Sequence, residues 1–384
     1  MKRKICVVVT ARPSYSRIKT ALQAIKDHPD LELQLVIAAS ALLGRYGSVI
    51  EQIEADGFVI NAKVFMVLEG ENPTSMAKTT GMGVMELSTT FLNLQPDIVV
   101  TIADRYETIA TTIAAAYMNI PVAHIQGGEV TGSIDEKVRH ANTKLADIHL
   151  VASTQARDRV IKLGEDPGMV FNTGCPSIDI ASEIAVEPAL DFDPFQKYAG
   201  VGSSPRITDG YLVVMQHPVT TEYLASRKNV EHTLKAVSNI KLPVLWFWPN
   251  VDAGSDGTST GIRSFRENHN TENFHFFKNM EPRDFLRLIV NSKCLIGNSS
   301  VGIRESAFLG VPVVNIGSRQ LGRQRAKNVI DVDYDQQQIE EAVSRQVARS
   351  RFDADPIYGD GKAGLKIARV LATCELKIAK RLSF

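Results

Sequence analysis

Two doubly wound α/β domains in tandem are the architecture this sequence predicts, and three observations predict it. Short, β-branched, almost continuous apolar runs alternate with longer segments of helical period, as parallel strands covered on both faces require. The alternation stops near position 191 and restarts at 211. The chain's 384 residues exceed what one ordinary core organises and suit two.

Taken in order, the first half places strands at 5–9, 33–38, 97–102, 121–125, 148–152 and 169–171. Apolar residues at helical spacing put helices over 17–26, 75–94, 106–118, 136–146 and 154–163. The interval 191–210, DFDPFQKYAGVGSSPRITDG, is rich in Gly, Pro, Ser and Asp and reads as a linker. It separates a first domain at 1–190 from a second at 211–363. In the second half, strands are expected at 211–215, 244–247, 274–277, 294–296 and 311–315. Helices are expected there at 222–237, 261–268, 283–290, 302–309 and 337–349.

Lys plus Arg and Asp plus Glu each number 43, so no global field draws the chain to nucleic acid or an anionic membrane. Any bound anion needs a local site. Four scattered cysteines without a CxxC pair suit free buried thiols in a reducing cytoplasm. The apolar run behind MKRK is too short for a signal peptide, and no stretch approaches the roughly 18 apolar residues of a membrane span. A soluble, cytoplasmic protein is expected.

In doubly wound folds, ligands bind beyond the carboxyl ends of strands, so loops there with polar residues that packing does not need are the candidates. Five qualify. The first holds Arg12 with Ser14 and Ser16, and the second holds Asp104, Arg105 and Glu107. Each also reads as an ordinary helix start. The third, HIQGGEVTGSIDE, brings Gln126, Glu129 and Asp135 together on a loop whose glycines allow close backbone approach. A metal site from His124, Asp135 and His140 has the residue types but no recognised spacing, and no metal is expected. The fourth pairs QHPVTTE, with His217, and FWPNVDAG, with Asn250, and the fifth is GNSSVGIRE, which holds Ser299, Ser300, Gly302 and Glu305. Free N–H groups and hydroxyls at a helix start suit a helix cap or an anion alike. With no Walker lysine and no GxGxxG, the expected ligand is a nucleotide diphosphate held by backbone and hydroxyls, with Glu305 accepting from ribose.

HPVTTE, FWPNVDAGSDG, GNSSVGIRE, ADRYE and HIQGGEVTGSIDEKVRH together resemble the hydrolysing UDP-N-acetylglucosamine 2-epimerases of sialic-acid and related nonulosonic-acid synthesis. The likeness runs over most of the chain, through GSRQLGR and YGDGKAG. It implies a glycosyltransferase-B-like pair of Rossmann-like domains, with a last helix at about 364–382 returning to the first. It implies release of UDP and free N-acetylmannosamine from the nucleotide sugar, in a homodimer or tetramer, without a metal or redox cofactor. Carried over by motif, Ser299, Ser300 and the Gly302 backbone hold the diphosphate and Glu305 the ribose, His217 and Asn250 flank phosphates and sugar, and Arg12 lines the nucleotide side. Asp104, Glu129 and Asp135 stand on the sugar side.

Two departures bear on the chemistry. Some relatives carry glutamate, as HIEGG, where this chain has Gln126, and the glycine of a GDR motif is Ala103. An amide cannot take a proton near neutral pH, so the base role passes to Asp104 or Asp135, with Glu129 behind them. Rival readings are the same reaction on UDP-2,4-diacetamido-2,4,6-trideoxyglucose or a GDP-linked sugar, a glycosyltransferase, and a catalytically silent nucleotide-sugar sensor.

Overall fold

The computed structural model describes residues 1–43, 49–69, 73–130, 134–249 and 254–383. The chain divides into two compact units. The first comprises Met1–Glu129, Ile134–Asp179 and Tyr358–Phe384, and the second is built on Ile180–Ile357.

The strands described in the first unit are β1 (Arg3–Val9), β2 (Leu31–Ala38), β3 (Ile60–Val64), β4 (Ile98–Ile102), β5 (Val122–Ile125), β6 (Ile148–Val151) and β7 (Val170–Asn172). They form one parallel sheet in the order β3-β2-β1-β4-β5-β6-β7. Its helices are α1 (Arg12–Asp27), α2 (Ile50–Ala55), α3 (Pro73–Leu94), α4 (Thr108–Tyr117), α5 (Ile134–Leu145) and α6 (Thr154–Lys162). Successive side chains of a strand face opposite ways, and both faces are covered here. Ile5, Val7 and Val9 join a core with Ile18, Leu22 and Ile367, while Cys6 and Val8 join another with Leu87, Phe91 and Ala114.

Helix α7 (Pro176–Val186) begins in the first unit and ends in the second. Beyond it come α8 (Pro194–Lys197), β8 (Gly200–Gly202), β9 (Leu212–Met215), α9 (Ser226–Ser238), β10 (Val244–Phe247), α10 (Ser255–Asn268) and β11 (Phe274–Phe277). Next are α11 (Pro282–Asn291), β12 (Cys294–Gly297), α12 (Ser300–Ile303), α13 (Glu305–Phe308), β13 (Val313–Ile316), β14 (Val329–Val332) and α14 (Gln336–Val347). The strand order is β14-β13-β12-β9-β10-β11-β8, parallel except for β8. Leu212, Val214 and Trp246 pack on one face with Leu234 and Ile262, and Val213, Leu245 and Phe247 on the other with Leu286 and Ile289.

Several expectations need correcting. The 191–210 stretch is not a free linker: Pro194 is buried, Tyr198 donates to Asp284 Oδ2 at 2.6 Å, and β8 pairs antiparallel with β11. Helix α1 starts at Arg12 rather than 17, because a proline fits the first turn, where its missing N–H costs nothing. The helix expected at 302–309 is two short pieces broken at Arg304, whose buried guanidinium donates back to Ser300 Oγ at 3.0 Å. The last helix, α15 (Ala363–Thr373), stops well short of 382. Arg3 takes its final carbonyls, with Nη1 2.6 Å from Leu371 O and 3.1 Å from Cys374 O. The tail beyond is held by Lys380, which donates to Glu165 Oε2 at 2.5 Å and to Thr143 O at 3.2 Å.

Candidate active site

Where neighbouring parallel strands send their connections in opposite directions, the loops at their carboxyl ends diverge and leave a crevice. In the first unit that point lies at β1 and β4, and in the second at β9 and β12. The residue after β1 that opens α1 is Arg12, and Asp104 and Arg105 follow β4. His217 follows β9, and Ser299, Ser300, Gly302 and Glu305 follow β12.

In the first unit, β4 runs into Ala103, which is buried and left-handed at φ 62°. That conformation costs an L-residue about 1–2 kcal/mol, and here it turns the chain immediately before Asp104. The Ala103 carbonyl lies 2.8 Å from His124 Nε2, and Thr143 Oγ1 lies 3.2 Å from His124 Nδ1. Burial pushes the His124 pKa down to about 4, so the ring is neutral and carries one proton. A carbonyl only accepts, which puts that proton on Nε2 and makes Nδ1 the acceptor from the Thr143 hydroxyl.

The Asp104 carboxylate accepts from Nη2 of Arg139 on α5, a guanidinium buried almost completely. Arg139 Nη1 donates to Glu129 O at 2.9 Å and to the Glu136 carboxylate. Burial alone lowers the Arg139 pKa, but the Asp104 charge and hydrogen bond, with the charges of Glu129 and Glu136, reverse this and raise it. Glu129 is itself buried, and Asp135 lies half-buried in the first turn of α5 rather than at its cap. Arg105 Nε donates to the buried Glu107 at 2.8 Å. Arg12 opens α1, and burial lowers its pKa.

Gln126 is buried and left-handed at φ 66°, and its Nε2 donates to Cys175 Sγ at 2.9 Å. That sulfur lies 3.0 Å from Ser177 Oγ. The glycine pair beside it serves packing: a Cβ on Gly128, at φ 75°, would sit 2.2 Å from Ala156 O. Of the three glycines expected to let backbone approach a ligand, Gly128 is thus required by packing, and Gly132 lies outside the described residues. His140 is exposed, with Nε2 3.0 Å from Glu136 Oε1, and no cluster of metal-ligating side chains occurs among the described residues.

In the second unit, Asn298 clasps the two loops of the switch point. Its Oδ1 accepts from His217 N at 2.7 Å and its Nδ2 donates to His217 O at 2.8 Å. Its carbonyl accepts from Arg319 Nη1 at 3.1 Å and Gln320 Nε2 at 2.9 Å. Ser299 caps α12, its Oγ accepting from Val301 N at 3.5 Å, and Gly302 N donates to Ser299 O at 3.1 Å. Ser300 Oγ is taken by Arg304. Glu305 is buried, and its Oε2 has no hydrogen-bond partner among the described residues, with Arg304 Nε 3.9 Å away. A buried carboxylate oxygen in that state is costly unless a ligand satisfies it. Asn250 lies outside the described residues.

Sequence reading missed Arg139 and Asn298. Each acts on a residue far along the chain, Arg139 on Asp104 at a separation of 35 and Asn298 on His217 at 81. Asn298 carries the one local signal, as an amide between a strand-end glycine and a hydroxyl pair.

Comparison with known proteins shows the fold and the family. The chain is 31% identical over 376 residues to the "UDP-N,N'-diacetylbacillosamine 2-epimerase (hydrolyzing)" of Legionella pneumophila, covering 98% of this chain and 97% of that protein. It is 29% identical to the "UDP-N-acetylglucosamine 2-epimerase" of Neisseria meningitidis, over 94% of this chain and 92% of that one. The solved structure of the Methanocaldococcus jannaschii UDP-GlcNAc 2-epimerase in complex with UDP-GlcNAc and UDP matches with a TM-score of 0.78 at 16% identity, over 97% of this chain and 99% of that one. The family described as UDP-N-acetylglucosamine 2-epimerase matches residues 23–372, and the chain belongs to that family.

Proposed function

We propose that the chain is a hydrolysing 2-epimerase, converting UDP-N-acetylglucosamine and water to N-acetylmannosamine and UDP. The observation that carries this reading is the Asp104 carboxylate at the first unit's switch point, held by the buried Arg139. The C2 hydrogen of an N-acetylhexosamine is not acidic in the ground state, and becomes removable as the C1–O bond to the diphosphate breaks. Asp104 takes that proton, the bonding electrons of C1–O leave with UDP, and a 2-acetamidoglucal remains. Water then adds its hydroxyl at C1, and a proton returns to C2 on the opposite face. Asp135 and Glu129 are the further carboxylates assigned to these proton transfers. Gln126 is assigned to orienting rather than to proton transfer, because its amide is not a base and one of its two N–H groups is given to Cys175.

The nucleotide is assigned to Ser299, Ser300, the Gly302 backbone, Glu305, Arg12, Arg105, His217 and Asn250. The unsatisfied Glu305 oxygen supports a ribose hydroxyl there. Charge-assisted hydrogen bonds of about 1.5–3 kcal/mol each help the diphosphate to leave. A second substrate, the UDP-linked 2,4-diacetamido-trideoxy sugar, is favoured by the name of the Legionella relative.

Incubation with each sugar nucleotide in heavy water, read by NMR, tests the proposal. Deuterium at C2 of a released 2-epimer with free UDP is expected, and an unlabelled product or none sinks it. Asp104→Asn is expected to bind UDP but lose turnover.

A further inference from the structure

We propose that helix α5 is a single positioning element for Asp104, fixing the Ala103 carbonyl before it and the Arg105 carbonyl after it through two buried side-chain relays, with His124 and Thr108 as the positioning residues. The proposal rests on the reading of Asp104 as the C2 base. The first relay runs from Thr143 through the His124 ring to the carbonyl of Ala103, at 3.2 and 2.8 Å. The second runs from Asn142 Nδ2 to Thr108 Oγ1 at 2.9 Å, and from Thr108 Oγ1 to the carbonyl of Arg105 at 2.7 Å. Thr112 Oγ1 completes it by donating to Asn142 Oδ1 at 2.7 Å. The proton count is consistent: the single Thr108 hydroxyl proton goes to Arg105 O, and its lone pair receives Asn142.

The two relays grip residues 103 and 105, and the third grip, Arg139, falls on the carboxylate between them. Arg139, Asn142 and Thr143 are spaced i, i+3 and i+4 and so share one face of α5. Thr108, Thr112, His124, Asn142 and Thr143 are each at most 2% exposed. Residues 103–107 lie outside helix and strand; backbone bonds from Ala103 N to Ile125 O and from Thr108 N to Arg105 O, 2.9 Å each, tether them, and the relays add a side-chain grip on the same two residues. A dry, fully satisfied polar network holds a unique geometry because any slip strands a donor or acceptor. A base must meet its proton to within a fraction of an ångström, and the relays tie that distance to a rigid helix.

Paired variants of the full chain test this, with Asp104→Asn run alongside. His124→Asn keeps an acceptor, its Oδ1, towards Thr143 but cannot reach Ala103 O, whereas His124→Gln extends an amide donor to it. Thr108→Val removes the hydroxyl at constant shape, whereas Thr108→Ser keeps it. His124→Asn and Thr108→Val are expected to lower kcat about 10- to 100-fold, the range by which displacement of up to about 1 Å slows an oriented reaction. KM and the UDP Kd stay within about twofold, and the Gln and Ser variants recover kcat to within about threefold of the parent. If His124→Asn does not fold, the Thr108 pair carries the test. Unchanged kcat in the folded variants beside an inactive Asp104→Asn overturns the positioning role and leaves Asp104 as the base. Parental turnover by Asp104→Asn overturns both. A loss in which KM and Tm move with kcat, and which the Gln and Ser variants do not recover, assigns the relays to folding and overturns the proposal.

Discussion

Gly297→Ala is the sharpest perturbation that the second unit offers. Gly297 ends β12 opposite Met215, at φ 125°, where only glycine is at ease. Holding alanine there costs about 1–3 kcal/mol in backbone strain. An added Cβ would also lie 2.1 Å from Met215 O and 2.5 Å from Met215 C, both backbone atoms that cannot rotate aside. Forced separation of a packed pair adds about 1–3 kcal/mol, giving about 2–6 kcal/mol in total. For a unit of this size that lowers Tm by at least about 4 °C in scanning calorimetry. The strands that part are the two bearing His217 and Asn298, so UDP affinity should fall with stability. Gly81→Ala is the matched control. Gly81 sits within α3 with nothing inside 4 Å of its would-be Cβ, and alanine there should stabilise by up to about 1 kcal/mol. A Gly297→Ala protein melting within about 1 °C of the parent would refute the reasoning.

Three further outcomes are expected. Asn298→Ala removes both bonds to the His217 backbone and should cost about 2–3 kcal/mol in denaturant unfolding, with UDP binding weakened; parental affinity would detach Asn298 from the site. Asp179→Ala strips the carboxylate that accepts from Ala363 N and Gly364 N at 2.7 Å each, costing about 1–2 kcal/mol, and limited proteolysis should then cut near 363 earlier than in the parent. For Glu165, burial raises the pKa, but bonds from His149, Lys144 and Lys380 outweigh it and hold the carboxyl at about 2, against an ordinary 4.5. A carboxyl depressed by folding contributes stability above its unfolded pKa and loses it as pH falls through its folded one. The parent should therefore lose stability between about pH 4.5 and pH 2, and Glu165→Gln should flatten that limb; identical acid limbs would contradict it.

The sequence disclosed what local chemistry determines. Ile5–Val9, Ile98–Ile102 and Cys294–Ile296 are buried throughout, and their unbroken apolar runs show it. The edge strands β3, β8 and β14 escaped because they are short and partly or, in β8, wholly exposed, and Gly200–Gly202 reads as loop until its partner Phe274–Phe277 is known. In the site, the loop positions of Asp104, His217, Ser299 and Glu305 were legible from the strand-end rule. What holds them was not. The Arg139 grip, the Asn298 clasp and the Gln126–Cys175 pair join residues 35, 81 and 49 apart, and no local pattern encodes them.

The first unit takes its residues from both sides of the second along the chain. During vectorial synthesis the second unit therefore has its whole sequence before the first has its last helix and the Lys380 that meets buried Glu165. Until those residues emerge, the nascent first unit carries an acid lacking one of its cations and an apolar α1 face without Ile367 and Leu371 to cover it. The unit begun first is thus finished last, and this interval is when a chaperone has most to shield.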